Sequence, residues 1–271
     1  MKKMMTAAAA FAMFSAVSAH ADEAAPAEPF AITGTAALVS DYRFRGVSQT
    51  DKEMAVQAGF TVTHESGLYV GTWGSNLSGW GTFGGANMEL DIYAGYVADL
   101  GGASLDVGAT WYMYPGGFSN TDFVEPYVKL SGTAGPVSLL AGVAYAPKQE
   151  ALGNFSNTPQ SAGQKQDNLY LWGDASFTVP ETPVKLKAHL GYSDGNPGLG
   201  PNGTSLAPTG KYLDWLLGAE VAVGPLTLGV AYVDTDLTKS ETAYIQPNFS
   251  STKNGSSIAG STVVFSLSAG F

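Results

Sequence analysis

Apolar and polar residues alternate along most of this chain, and the alternation breaks at short clusters rich in Gly, Asn, Asp, Ser and Pro. A period of two belongs to a β-strand, whose successive side chains point to opposite faces. In 182–193, Val184, Leu186, Ala188, Leu190 and Tyr192 oppose Lys185, Lys187, His189 and Gly191. In 102–114, Leu105, Val107, Ala109, Trp111 and Met113 oppose Ser104, Asp106, Gly108, Thr110 and Tyr112. In 87–98, Met88, Leu90, Ile92, Ala94 and Tyr96 oppose Asn87, Glu89, Asp91, Tyr93 and Gly95. Counting such segments predicts twelve strands, over 31–45, 54–64, 67–76, 87–98, 102–114, 122–133, 136–146, 167–179, 182–193, 211–223, 225–235 and 261–271. Their interiors carry no charge on the apolar face. His64, Asp122, Asp167, Lys211 and Asp234 fall on that face only at strand ends, within reach of water.

The connections alternate short and long. Tight turns follow the second, fourth, sixth, eighth and tenth segments, and longer loops run over 46–53, 76–86, 115–121, 146–165, 193–210 and 236–260. Most segments have about ten to thirteen residues, the length a tilted strand needs to cross a bilayer. A charge-free face and one rim of tight turns predict an all-β fold: a transmembrane antiparallel up-and-down β-barrel with short periplasmic turns and long extracellular loops. Tyr42, Phe44, Trp111, Tyr145, Tyr192 and Tyr232 then fall at the outer interface on the lipid face, and Tyr96, Phe177 and Phe271 at the inner one. The closing run places Val263, Phe265, Leu267, Ala269 and Phe271 on one face. It resembles the last strand of a bacterial outer-membrane barrel. The resemblance implies that the terminal aromatic addresses the chain to the barrel-assembly machinery.

An export route precedes the strands. Lys2 and Lys3, the apolar run 7–17 and Ala19-His20-Ala21 have the order of a signal peptide cleaved near Ala21. The predicted organisation is a signal peptide over 1–21, a short segment over 22–30 and one barrel over 31–271, in the outer membrane of a Gram-negative bacterium. Losing Lys2 and Lys3 takes the formal charge from −10 to −12. That much acid excludes nucleic acid as a partner, which needs basic surface. There is no cysteine, hence neither disulfide nor thiolate metal site. Thirty-four glycines and only 13% charged residues suit turns and an interior of small side chains.

The segment Ser40-Asp41-Tyr42-Arg43-Phe44-Arg45-Gly46-Val47-Ser48-Gln49-Thr50 is similar to the opening motif of the TorF family of porins. The likeness continues through 64–73 and 89–96 and returns at 228–236. It implies an outer-membrane barrel classed as a porin, with no settled substrate and no catalytic residues. Within the motif Arg43 occupies a variable position and Arg45 does not, which favours a structural role for Arg45. The loops at 147–166, 194–210 and 237–259 match no familiar pattern and are expected to carry specificity.

The chain's two arginines, Arg43 and Arg45, fall with Asp41 on the polar face of the first predicted strand. Arginine is a fixed charge that grips anions with two parallel bonds. The trio reads as a pore-lining cluster or as a structural ion pair across the closure. The other pore-lining candidates are Glu89, Asp91, Asp106, Glu125, Asp174, Asp214 and Glu220, against Lys129, Lys185 and Lys187. Such an acidic excess either enriches cations in a confined water column or is satisfied by pairing inside a plugged barrel. After export the histidines are His64 and His189, set apart from any Ser–His–acid arrangement, so no catalytic residue, metal site or cofactor is expected. The function expected is a channel for small polar solutes with a weak cation or zwitterion preference. The alternative is a non-conducting structural or ligand-binding surface protein acting through its loops.

Overall fold

The computed structural model describes residues 29–118, 120–153, 164–196 and 206–271. The predicted signal peptide lies outside them. Twelve strands close into one antiparallel barrel: β1 (Phe30–Val39), β4 (Ala55–His64), β5 (Leu68–Asn76), β6 (Met88–Asp99), β7 (Ala103–Met113), β8 (Phe123–Ala134), β9 (Val137–Gln149), β10 (Gln166–Thr178), β11 (Val184–Gly195), β12 (Lys211–Val223), β13 (Leu226–Thr235) and β14 (Thr262–Gly270). Each strand pairs with its neighbour in sequence, and β1 closes the ring against β14. The predicted class and strand number both hold. A closed ring leaves no unpaired edge, which is what lipid demands. The turns at 65–67, 100–102, 135–136, 179–183 and 224–225 form one rim and the long loops the other.

The two faces sort as alternation requires. Ile32, Val56, Val70, Leu190, Leu217 and Phe265 are exposed on the outer wall, half or more of each side chain's surface uncovered. In a water-soluble protein so much continuous apolar surface would be a liability; here it is the lipid band. Inside, flat rings lie against glycines of the adjacent strand. Tyr93 lies over Gly71, Tyr69 over Gly95, Tyr127 over Gly108, Trp172 over Gly142 and Tyr170 over Gly191. Each ring occupies the space a Cβ would need. Gly142→Val should therefore lower the midpoint of the heat-induced gel-mobility shift, as overpacking costs about 1–3 kcal/mol. Gly173→Val faces lipid, where an added Cβ meets nothing nearer than the Leu140 carbonyl at 3.7 Å. It should leave that midpoint unchanged.

The first predicted strand needs correction. It ends at Val39 rather than residue 45. The chain then turns into the bore and forms a small hairpin, β2 (Arg43–Phe44) and β3 (Val47–Ser48), with Arg45 and Gly46 as its two-residue turn. Both turn residues have positive φ, 48° and 79°, as the tight hairpin turn that matches strand twist requires. Tyr42 and Phe44 are thus inside the barrel, not in the outer aromatic girdle. Trp111, Tyr145 and Tyr232 do lie exposed on the outer wall.

Candidate functional site: the plugged lumen

Asp41, Arg43 and Arg45 are not wall residues. They ride on the hairpin and the turn into it, and all three are buried. Arg45 crosses the bore. Its Nη2 donates to both oxygens of Glu125 on β8, at 2.7 and 2.8 Å, and its Nη1 to Asn168 Oδ1 on β10 at 2.7 Å. The guanidinium stacks over the Tyr170 ring at 4.0 Å. From the third side, Tyr212 on β12 donates its hydroxyl to the Arg45 carbonyl at 3.0 Å. Burial opposes the Arg45 charge, but Glu125, Tyr112 and Tyr170 outweigh it and hold the guanidinium above the ordinary arginine range. Such a planar, weakly hydrated guanidinium can give one nitrogen to Glu125 and the other to Asn168 while its face stacks on Tyr170.

Arg43 serves the hairpin itself. Its Nε donates to Asp41 Oδ2 at 2.7 Å, and Nη1 donates to the carbonyls of Gly46 and Ile258 at 2.9 and 2.7 Å. Asp41 also accepts from Ser48 Oγ at 2.6 Å. Burial pushes the Asp41 carboxyl up from its ordinary value, with Arg43 and the Ser48 hydroxyl pulling the other way. Tyr42 donates to Glu89 Oε1 on β6 at 2.8 Å. The hairpin is covered from outside by the loop 236–261. Ile245, Phe249, Ile258 and Ala259 pack on Val47 and Tyr212, and Trp80 meets Phe249 edge to face at 4.9 Å.

The wall candidates all face inward, and most are paired. Lys129 reaches Asp106 at 2.6 Å and Lys187 reaches Glu220 at 2.8 Å. His189 lies between Asp174 at 2.7 Å and Asp214 at 3.2 Å, with the Tyr170 hydroxyl at 3.0 Å. Asp174 keeps 40% of its side-chain surface open, so this part of the lumen is reached by solvent. Lys185 sits opposite Thr178 and Glu220, near the short-turn rim. Glu89 and Asp91 have no cation within ion-pair distance among the described residues, and Asp91 is fully buried. No group of three His, Cys, Asp or Glu among the described residues is placed to hold a metal ion.

The sequence set Asp41, Arg43 and Arg45 in one row of a wall strand; the structure carries them on the hairpin and the turn into it, pairs Arg43 with Asp41 and sends Arg45 to Glu125 and Asn168. Sequence reasoning missed Asn168, Tyr170 and Tyr212 as partners of Arg45. A signal was present: aromatic residues on a strand's polar face, beside glycine, as with Tyr93 and Gly95.

Residues 23–271 match the family model described as "Bacterial protein of unknown function (Gcw_chp)". No curated protein matches the chain in sequence. Among solved structures, the NanC porin is similar at 10% identity and a TM-score of 0.54, over 88% of this chain and 98% of that one. A porin refined at 1.8 Å resolution is similar at 13% identity and a TM-score of 0.43, over 81% and 62% of the two chains. OmpT of Vibrio cholerae is similar at 11% identity and a TM-score of 0.39, over 92% and 99%. At such identities the NanC likeness shows the fold alone: a porin-like outer-membrane barrel.

Proposed function

We propose that this chain, which belongs to the Gcw_chp family and takes no activity from that family's description, is a porin-like outer-membrane channel for small hydrophilic solutes, shut at rest by its own first outer loop. One observation supports this above others. Every charged side chain of the strand interiors points into the bore, while the piece that blocks the bore is tied to the wall by side-chain ion pairs, hydrogen bonds and ring packing rather than by a strand ladder. Among the described residues β2 and β3 form a sheet with each other and not with the wall. Ion pairs and hydrogen bonds can be traded for water when the hairpin moves, whereas a strand of the wall cannot leave. The uncompensated Glu89 and Asp91, and a histidine held between two carboxylates, favour cations and zwitterions over anions. The resemblance to TorF-type porins, carried by 40–50, supports the same class.

The apolar cap of Ile245, Phe249 and Ile258 over Val47 favours the second reading, a non-conducting barrel that acts through its outer loops. Planar-bilayer recording of the refolded mature protein decides between them. Expected for the channel are brief, small openings whose reversal potential in a KCl gradient lies toward cations. Replacing 41–52 by a short Gly/Ser turn should make the current larger and steady. If both proteins are folded by heat-modifiable gel mobility and neither passes current, the non-conducting reading stands.

A further inference from the structure

We propose that the loop 236–261 is the second half of the gate: the hairpin and this loop form one body that swings off the wall together. The coupling rests on the contacts between the two segments. Its use as a gate rests on the channel reading above.

Both segments hang from one arc of the ring. The hairpin leaves β1 and returns to β4, and the loop leaves β13 and returns to β14, so their roots occupy four consecutive strands. At the base of the hairpin the Ser40 N–H donates to the Phe265 carbonyl and the Phe265 N–H to Ser40 Oγ, both at 2.9 Å. That exchange fixes a pivot on β14. Contacts between the segments then run from the hairpin to the end of its return. Arg43 Nη1 and the Ser48 N–H both donate to the Ile258 carbonyl, at 2.7 and 2.9 Å. Asp51 accepts from the Thr252 N–H at 2.9 Å and from the Thr252 hydroxyl. Lys52 Nζ reaches Ser256 Oγ at 3.2 Å, and Lys253 pairs with Glu53 at 2.6 Å. Val47 is wholly buried with Ile245, Phe249 and Ile258, in a cluster that takes Tyr212 from the wall.

The grip on the wall is of another kind. Arg45 and Tyr42 end on Glu125, Asn168 and Glu89, groups that water can serve once they part. The rings of Tyr42 and Phe44 meet Trp73 and Tyr112 edge on. Parting hairpin from loop would instead bare Val47, Ile245, Phe249 and Ile258 to water, which hydrophobic burial opposes. A hairpin covered from outside also cannot swing outward without carrying its cover. The apolar cap is therefore what joins the moving parts.

The coupling is tested by hydrogen exchange, read by mass spectrometry, on the refolded mature protein. Arg45→Ala removes a contact between hairpin and wall. It should speed exchange in 41–53 and in 243–259 by the same factor, roughly a hundredfold or more, with the wall strands unchanged. Faster exchange in 41–53 alone would overturn the proposal, since the hairpin would then slide beneath a fixed loop. No acceleration in either segment would overturn it as well. Should Arg45→Ala fail to fold, Arg45→Lys is read in the same way with a smaller factor. Conductance tests the gate. The chain has no cysteine, so paired cysteines can be bridged by a short bifunctional thiol reagent. A bridge joining Asp51→Cys to Thr252→Cys lies within the body and should leave the openings of the unbridged variant unchanged. The Tyr244 hydroxyl donates to the Pro208 carbonyl at 2.5 Å. A bridge joining Tyr244→Cys to Pro208→Cys pins the loop to the connection between β11 and β12 and should abolish the openings. The opposite pattern would overturn the gate assignment. A wild type that passes no current would end the channel reading and the gate with it, while the exchange result still decides whether the two segments move together.

Discussion

Arg45→Ala is expected to release the hairpin from the bore and to turn brief openings into a sustained current. The variant removes one partner of a buried ion pair and strands Glu125 without a counter-charge. Breaking a buried pair in this way costs about 3–5 kcal/mol. At about 1.4 kcal/mol per tenfold, the ratio of seated to released hairpin should fall by roughly two to three and a half orders of magnitude. The wall should survive, because its ladders do not include Arg45. Thermal unfolding should therefore shift far less than open probability does. Losing a lumen cation should also move the reversal potential further toward cations. Arg45→Lys should lie between the two, since an ammonium keeps the charge but neither forks nor stacks on Tyr170. A lowered midpoint with unchanged conductance would mean that Arg45 only braces a closed barrel.

The second large effect is expected at the seam. β1 and β14 align only five residue pairs, Thr35↔Gly270 to Val39↔Ser266, whereas β1 and β4 align ten. Phe271 lengthens this short ladder by two backbone bonds, Gly34 N to Phe271 O at 2.8 Å and Phe271 N to Gly34 O at 3.0 Å. The end of its ring lies over Gly34 on the lipid face, in the space a Cβ would take. Deleting Phe271 should sharply reduce the folded, heat-modifiable fraction, at about 1 kcal/mol for each lost bond plus the lost ring contact. Gly34→Val should do the same with the terminus intact, because the branched side chain and the ring collide. Ala36→Val, one lipid-facing position along β1, should fold normally. Refolding into lipid vesicles without any assembly machinery isolates this closure term. Normal closure of both variants there, combined with failed insertion in cells, would assign Phe271 to recognition alone.

The barrel was legible because its two environments leave opposite marks at alternate positions. Val107 beside Asp106 and Leu190 beside His189 mark two unlike faces, and the charge-free apolar face together with the alternation of short and long connections assigned one of them to lipid. The hairpin was not legible, because 40–45 keeps the same alternation after the wall has ended: Tyr42 and Phe44 against Asp41, Arg43 and Arg45. Period two records that two faces differ, not that one of them meets lipid. Two local features told otherwise. The predicted first strand was longer than its neighbours, and Gly46 suits a turn position with positive φ, though Arg45 before it does not. The partners of Arg45 lie 80, 123 and 167 residues away, and no local pattern encodes such contacts.

A ring of twelve strands is a hoop, and a hoop pressed from the side becomes an ellipse before any joint parts. Bonds between neighbouring strands resist separation and do little against that flattening. Arg45 ties together β8, β10 and β12, and Tyr42 adds β6, all through a segment hung from β1. These contacts are spokes. With the hairpin seated, sideways pressure on β6, β8, β10 or β12 meets a hub as well as the two neighbouring strands, and flattening the ring there requires breaking a spoke.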